Sequence, residues 1–377
     1  MNKFFPEIKK NFGFGAMRLP KQGNKIDIEE FSQMVDLFLE SGFNYFDTAH
    51  GYHNGASETA LREALTSRYP RERYLLVNKL THGMFDLNPD GVRKFFQMQL
   101  DACGVDYFDF YLMHAQNAGF FADFKSARAY ETAFALKAEG KIRHVGISFH
   151  DHADVLDQIL TEYPDIELVQ IQFNYVDYDD AGIQSRQCYQ VCEKHGKPVV
   201  VMEPLKGGAL ARLPEEANRL LDALASDSAV KPSAASYAIR YAASFPQIMM
   251  TLSGMSTLAQ MEDNLSYMKD FQPLTNAEFA TIDKVRDIFR AQNLIACTGC
   301  RYCTAGCPME ISIPDLISDM NAKKAFRDWN SDWYYSVHIQ NHGRASDCIG
   351  CGQCESVCPQ KLPIISILEQ ISATFDK

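Results

Sequence analysis

The sequence predicts an α/β chain: a closed (β/α)8 TIM barrel over residues 1–272, a connecting helix at 273–296, and a small cysteine-rich domain at 297–377. Three observations carry this expectation. Eight short apolar runs alternate with longer amphipathic stretches from residue 11 to about 271. Most steps between runs are a little over thirty residues, the size of a strand–helix–strand unit. Eight of the eleven cysteines fall in two tight groups after residue 296.

The runs lie at 12–17, 44–47, 74–79, 108–114, 144–148, 168–174, 198–202 and 248–253. Most are apolar nearly throughout, as parallel strands buried on both faces must be. The segments between them carry helical stripes. Ile28, Phe31, Met34, Val35, Phe38 and Leu39 share one face, and Gly42 marks the stop. Val92, Phe95, Phe96 and Leu100 do the same before Gly104, as do Val155, Leu156, Ile159, Leu160 and Tyr163. A doubly wound open sheet is the rival. It would normally carry a G-x-G-x-x-G turn after its first strand, but Arg18 stands where the third glycine would follow Gly13 and Gly15. Phe279, Ile282, Val285 and Phe289 form the buried stripe expected of the connecting helix.

Composition narrows the classes. With 46% hydrophobic and 23% charged residues, an ordinary folded core is expected. A net charge of −11 argues against nonspecific nucleic-acid binding and against an anionic membrane surface. The start lacks the apolar run of a signal peptide, and no apolar stretch approaches a membrane span, so a cytoplasmic protein is expected.

The cysteine groups are Cys297-x2-Cys300-x2-Cys303-x3-Cys307-Pro308 and Cys348-x2-Cys351-x2-Cys354-x3-Cys358-Pro359. Each is the run of bacterial-type ferredoxins, which predicts a ferredoxin-like domain with two [4Fe-4S] clusters. Three closely spaced thiolates on a tight turn reach three iron corners of one cubane, and the fourth reaches the other cubane. Cys297, Cys300, Cys303 and Cys358 are therefore assigned to one cluster, and Cys348, Cys351, Cys354 and Cys307 to the other. Structural zinc is the weaker reading, because zinc sites usually pair two C-x2-C units. The insert between the motifs holds Trp329, Trp333, Tyr334 and Tyr335. These rings are expected to fill the small domain's core, with a flap over the barrel mouth as the alternative. Cys103, Cys188 and Cys192 read as buried small hydrophobes.

Catalytic groups of (β/α)8 enzymes sit at the C-terminal ends of strands. Asp47 ends the second run, Tyr52 follows it, Lys79 ends the third and His114 the fourth. Here the chain resembles the aldo/keto reductase family, through FDTAHGYHNGASE at 46–58, NKL at 78–80, LMH at 112–114, GIS at 146–148, QIQFN at 170–174, MEPLKGG at 202–208 and SGMSTLAQMEDN at 253–264. With the cysteine domain, it is similar to the branch carrying a C-terminal ferredoxin module. The resemblance implies that Tyr52 is the general acid or base. A phenol's ordinary pKa near 10 suits proton donation poorly at neutral pH, so the Lys79 ammonium is expected to lower it. Asp47 would hold Lys79 charged, and His114 would bond the substrate oxygen. A metal site joining His50, His53 and His114 is a weaker reading.

Cofactor contacts are implied by the same resemblance. Ser148 and Gln170 would hold a nicotinamide carboxamide, and Asn264 would contact adenine. Phe149 and Met202 stand where the family often has asparagine and a stacking aromatic. Gly254 and Gln260 stand where cations often grip a 2′-phosphate, and Lys206 is a candidate phosphate partner. The expected cofactors are thus the two clusters and NADP(H) or NAD(H), with FMN less favoured. The expected function is nicotinamide-dependent hydride transfer to or from a small carbonyl or alcohol. A ferredoxin or other redox partner is the further expectation. A flavin- or ferredoxin-linked oxidoreductase is the alternative, because hydride carries two electrons and each cluster takes one. From another class, the chain would be an electron carrier or scaffold on a degenerate barrel.

Overall fold

A computed structural model describes residues 3–224, 231–290, 294–297, 299–327 and 329–377. Each of the eight apolar runs forms a strand. These are β1 (Phe12–Gly15), β4 (Tyr45–Asp47), β5 (Leu75–Leu80), β6 (Phe108–Gln116), β7 (Ile142–Phe149), β8 (Leu168–Gln172), β9 (Val199–Met202) and β10 (Ile248–Ser253). They pair in parallel in that order and close on themselves, with Gly13 opposite Tyr45 on one side and Leu252 on the other. A short antiparallel ribbon, β2 (Lys21–Gln22) with β3 (Lys25–Ile26), was not expected from the apolar pattern, because its strands are two residues long and mostly exposed. Its signal was the Gly23-Asn24 pair at the turn.

The barrel has two cores. Inside the strands, Tyr45, Val77, Phe110, Leu112, Leu168, Val200, Met250 and Leu252 pack together. Gly13 and Gly146 make room for them. A Cβ at Gly13 would lie 2.7 Å from Leu252, and one at Gly146 would lie 2.7 Å from both Leu112 and Leu168. Between strands and helices, Phe12, Phe14, Phe31, Phe38 and Phe46 belong to a second cluster. The helices start and stop on local signals. Asp27 accepts from the Glu30 amide at 3.0 Å and caps Ile28–Glu40. Asn88 caps Pro89–Cys103, which Gly104 ends at φ 65°. The helix Asn276–Arg290 buries Ile282, Val285 and Phe289 in the barrel's outer cluster.

The C-terminal helices Ile313–Phe326, Asn330–His338, Gln353–Val357 and Ile364–Phe375 enclose a core that includes Ile313, Leu316, Ile317, Ile364 and Leu368. Of the four rings expected in that core, Tyr335 enters it and stacks on Phe375 at 4.6 Å. Trp333 and Tyr334 turn toward the barrel instead. The Trp333 ring lies 6.0 Å from Phe120 and 6.2 Å from His150, and the Tyr334 hydroxyl is 3.4 Å from His150 Nδ1. Consecutive helical residues point about 100° apart, so three in a row cannot share one core. The expectation that these rings only fill the small domain is corrected: part of the insert roofs the barrel mouth.

A buried polar network joins the two parts. Arg301 holds Asp315 through two bonds, of 2.6 and 3.0 Å, and donates to Ala181 O at 3.4 Å. His338 Nδ1 pairs with Asp319 at 2.9 Å, and its ring stacks on His152. Burial works against a charged His338, but Asp319 and then Asp315 outweigh it and raise its pKa to about 9. A histidine raised from its unfolded value near 6.5 stabilises fully below that pH and loses its contribution as pH climbs through about 9. Stability is therefore expected to fall by up to about 3 kcal/mol over that window. Thermal melts from pH 6.5 to 9.5 check this, with His338→Gln expected to flatten the profile. Among the described residues, no helix is long and apolar enough to cross a membrane.

Candidate active site

Parallel strands leave their C-terminal ends open at one mouth, and the expected tetrad converges there. Asp47 ends β4, Lys79 lies near the end of β5, and His114 near the end of β6. Lys79 is 1% exposed, and its ammonium must be paired to sit there. It donates to Asp47 Oδ1 at 2.6 Å and Thr48 O at 2.8 Å, and lies 3.4 Å from the Tyr52 hydroxyl. The His114 and Tyr52 rings are 6.1 Å apart at 80°.

Electrostatics assigns protonation states. Burial opposes charge on Lys79, but Asp47 and Tyr52 outweigh it, so the ammonium is held above its ordinary pKa. Burial pushes the Tyr52 phenol above its usual value of 10.0; Lys79 pulls the other way without overcoming it. The expectation of a lowered phenol pKa is thus corrected for this geometry: desolvation wins, and Tyr52 rests as a neutral proton donor. Burial, reinforced by Lys79, holds His114 well below 6.5 and therefore neutral. Thr81 Oγ1 lies 2.9 Å from His114 Nδ1. With the threonine donating, Nε2 carries the ring proton and is free to donate. Removing the Asp47 charge would strand a buried ammonium. Asp47→Asn is expected to cost about 3–5 kcal/mol, read as a lowered thermal midpoint against wild type.

A cavity of about 790 Å³ opens beside Asp47 and Tyr52, and Gln170, Met202, Gly254, Gln260 and Asn264 also line it. Asp47 Oδ2 and Gln170 Oε1 are buried without partners, as a donating ligand would require. Asn264 is committed within the protein: it donates to Ser253 Oγ at 2.8 Å and accepts from Tyr267. Gln260 accepts from the Ser256 amide at 2.7 Å. Ser148 does not join this wall. Its hydroxyl accepts from the Ala115 amide at 2.8 Å and steadies a residue at φ 55°. Lys206 is corrected too. It is not a free phosphate partner, being buried with Asp177 at 2.6 Å.

His50 and His53 have separate occupations. His50 Nδ1 pairs with Glu58 at 2.7 Å, and His53 Nε2 accepts from the Leu19 amide at 3.2 Å. Among the described residues, no three His, Cys, Asp or Glu side chains gather tightly enough to hold a single ion. Sequence reasoning passed over His150, which follows β7 and whose pKa burial depresses to about 4. Its signal was its place just past a strand end. Glu203, which directly follows β9 and faces Arg18 at 3.4 Å on the cavity wall, carried the same signal.

The cysteines line two smaller cavities. Cys297, Cys300, Cys303 and Cys358 border one, with Ile317, Leu362 and Ile364. Cys307, Cys348, Cys351 and Cys354 border the other, with Ile311 and Leu368. The fourth cysteine of each motif thus lies with the first three of its counterpart. Eight thiols spread over two apolar walls fit polyatomic clusters by number, chemistry and spacing.

Comparison with known proteins places both parts of the chain in known families. The aldo/keto reductase family model matches residues 11–287, and that of a 4Fe-4S dicluster domain matches 296–362. An uncharacterised oxidoreductase of Schizosaccharomyces pombe is 28% identical over 270 residues, covering 68% of this chain and 81% of that protein. A methylglyoxal reductase of Escherichia coli is 30% identical over 255 residues, covering 65% and 81%. Among solved structures, the holo form of an aldo-keto reductase of Bacillus halodurans is 25% identical with a TM-score of 0.59, covering 74% and 92%. An NADPH complex of an aldo-keto reductase from Klebsiella pneumoniae shares the fold at 19% identity and a TM-score of 0.60, covering 74% and 95%. The chain belongs to the aldo/keto reductase family of oxidoreductases and carries a 4Fe-4S dicluster domain after its barrel.

Proposed function

We propose that the barrel transfers hydride between NADP(H) or NAD(H) and a small carbonyl or alcohol, with Tyr52 passing the proton. One observation carries this reading: a buried Lys79 joins Asp47 to the Tyr52 phenol at the wall of a cavity that also presents the unpartnered amide oxygen of Gln170. The nicotinamide supplies the hydride when bound. Charge then builds on the substrate oxygen. Neutral His114 donates a hydrogen bond to it, and Tyr52 releases its proton. Lys79 stabilises the phenolate that remains, and Asp47 keeps Lys79 charged and aimed. We assign Cys297, Cys300, Cys303 and Cys358 to one [4Fe-4S] cluster, and Cys307, Cys348, Cys351 and Cys354 to the other. Such clusters supply one-electron chemistry, so exchange with a ferredoxin-type partner belongs to this proposal. A reducing, cytoplasmic setting suits clustered thiolates.

The test is titration of anaerobically prepared protein with NADPH, NADH and FMN, followed by an aldehyde screen. Methylglyoxal leads the screen because relatives carry it in their names. Nucleotide binding with turnover of an aldehyde is expected. Stoichiometric FMN with no nicotinamide binding would replace this reading by the flavin-linked one.

A further inference from the structure

A phosphorylated nucleotide needs cations, and the barrel's own are largely committed. Lys206 is neutralised by Asp177 at 2.6 Å, and Arg18 faces Glu203 at 3.4 Å. Gly254, Gln260 and Asn264 carry no charge themselves, the Arg18 side chain that packs against Gly254 is the one turned to Glu203, and Asp47, Glu203 and Asp263 add carboxylates to the lining. Arg212 is the one barrel cation at this wall without an ion pair among the described residues.

The second domain reaches the same cavity. Its helix Ile313–Phe326 ends there, and Phe326, Arg327 and Trp329 form part of the wall. Arg327 sits at φ 49°, and its amide closes the helix on Lys323 O at 3.0 Å. That left-handed turn redirects the chain at the cavity's edge. The Arg327 guanidinium has no carboxylate partner among the described residues, and Trp329 leaves 49% of its surface exposed. An unpaired guanidinium and an exposed indole on the wall of one cavity offer a phosphate clamp and a stacking face. The helix is anchored at its far end, where Ile313 lines both cysteine cavities.

We propose that Arg327 and Trp329 complete the nucleotide site: Arg327 clasps a phosphate of the cofactor and Trp329 covers one of its rings. The iron–sulfur domain is then a structural part of cofactor binding. This inference rests on the nicotinamide reading above.

The test is calorimetric titration of anaerobic, iron-replete protein with NADPH and NADH, comparing wild type with Arg327→Gln, Arg327→Lys and Trp329→Ala. Iron content and thermal midpoint serve as folding checks. Arg327→Gln is expected to weaken binding roughly tenfold, the loss of one charge-assisted phosphate contact. Loss for NADPH alone assigns the 2′-phosphate; loss for both nucleotides assigns the bridging diphosphate. Arg327→Lys is expected to fall between, and Trp329→Ala to weaken both nucleotides severalfold. If all three variants keep their iron and bind within twofold of wild type, the inference is overturned. Wild-type protein that binds neither nucleotide overturns the nicotinamide reading itself, and is a separate outcome.

Discussion

Tyr52→Phe is expected to lower carbonyl reduction by roughly 10²- to 10⁴-fold, the range for losing a positioned proton donor. The ring survives this change, so nucleotide affinity and thermal stability are expected to stay near wild type. The phenol stands above its usual pKa because burial outweighs Lys79. Reduction by wild type is therefore expected to run level through pH 9, since the donor stays protonated. Oxidation of an alcohol is expected to rise with pH, because it needs the phenolate. Steady-state rates in both directions, with binding measured separately, check each part.

The second large effect concerns the crossed cysteine assignment. Cys358→Ser is expected to disturb the same cluster as Cys297→Ser, although 61 positions separate the two in sequence. Cys307→Ser is expected to pair with Cys348→Ser. Full loss of one cluster would take iron from about eight atoms per chain to about four. Because a metal centre contributes its binding free energy to folding, these variants are also expected to melt earlier. Electron paramagnetic resonance of the reduced variants distinguishes the pairings. Loss of one signal in Cys358→Ser and Cys297→Ser, with the other signal retained, supports the crossing. Pairing within each motif would refute it.

Much of this was legible in the sequence because strict periods leave few options. Most of the barrel strands are apolar nearly throughout, since helices cover one face and the barrel interior the other. The tetrad was legible because four ionisable groups fell at neighbouring strand ends. What escaped depended on contacts between distant segments. Ser148 lies on a barrel strand beside Gln170, yet its hydroxyl serves the Ala115 amide, a partner set by an unusual backbone turn. Lys206 gave no sign of its burial against Asp177, 29 residues away. The insert aromatics were misjudged because a run of three rings reads as core, while the helix aims Trp333 and Tyr334 at His150 and the barrel. The phenol's raised pKa was hidden for a similar reason: sequence names the lysine, but not the depth at which it meets the tyrosine.

The most direct measurement follows a label. Nicotinamide nucleotide deuterated at the reactive C4 position is incubated anaerobically with the iron-replete protein and an aldehyde that it turns over, and the alcohol is weighed by mass spectrometry. Deuterium is expected on the former carbonyl carbon, formed quickly by wild type and only in trace by Tyr52→Phe. An alcohol that carries no label, or a phenylalanine variant as fast as wild type, would contradict the role given to the phenol at the barrel mouth.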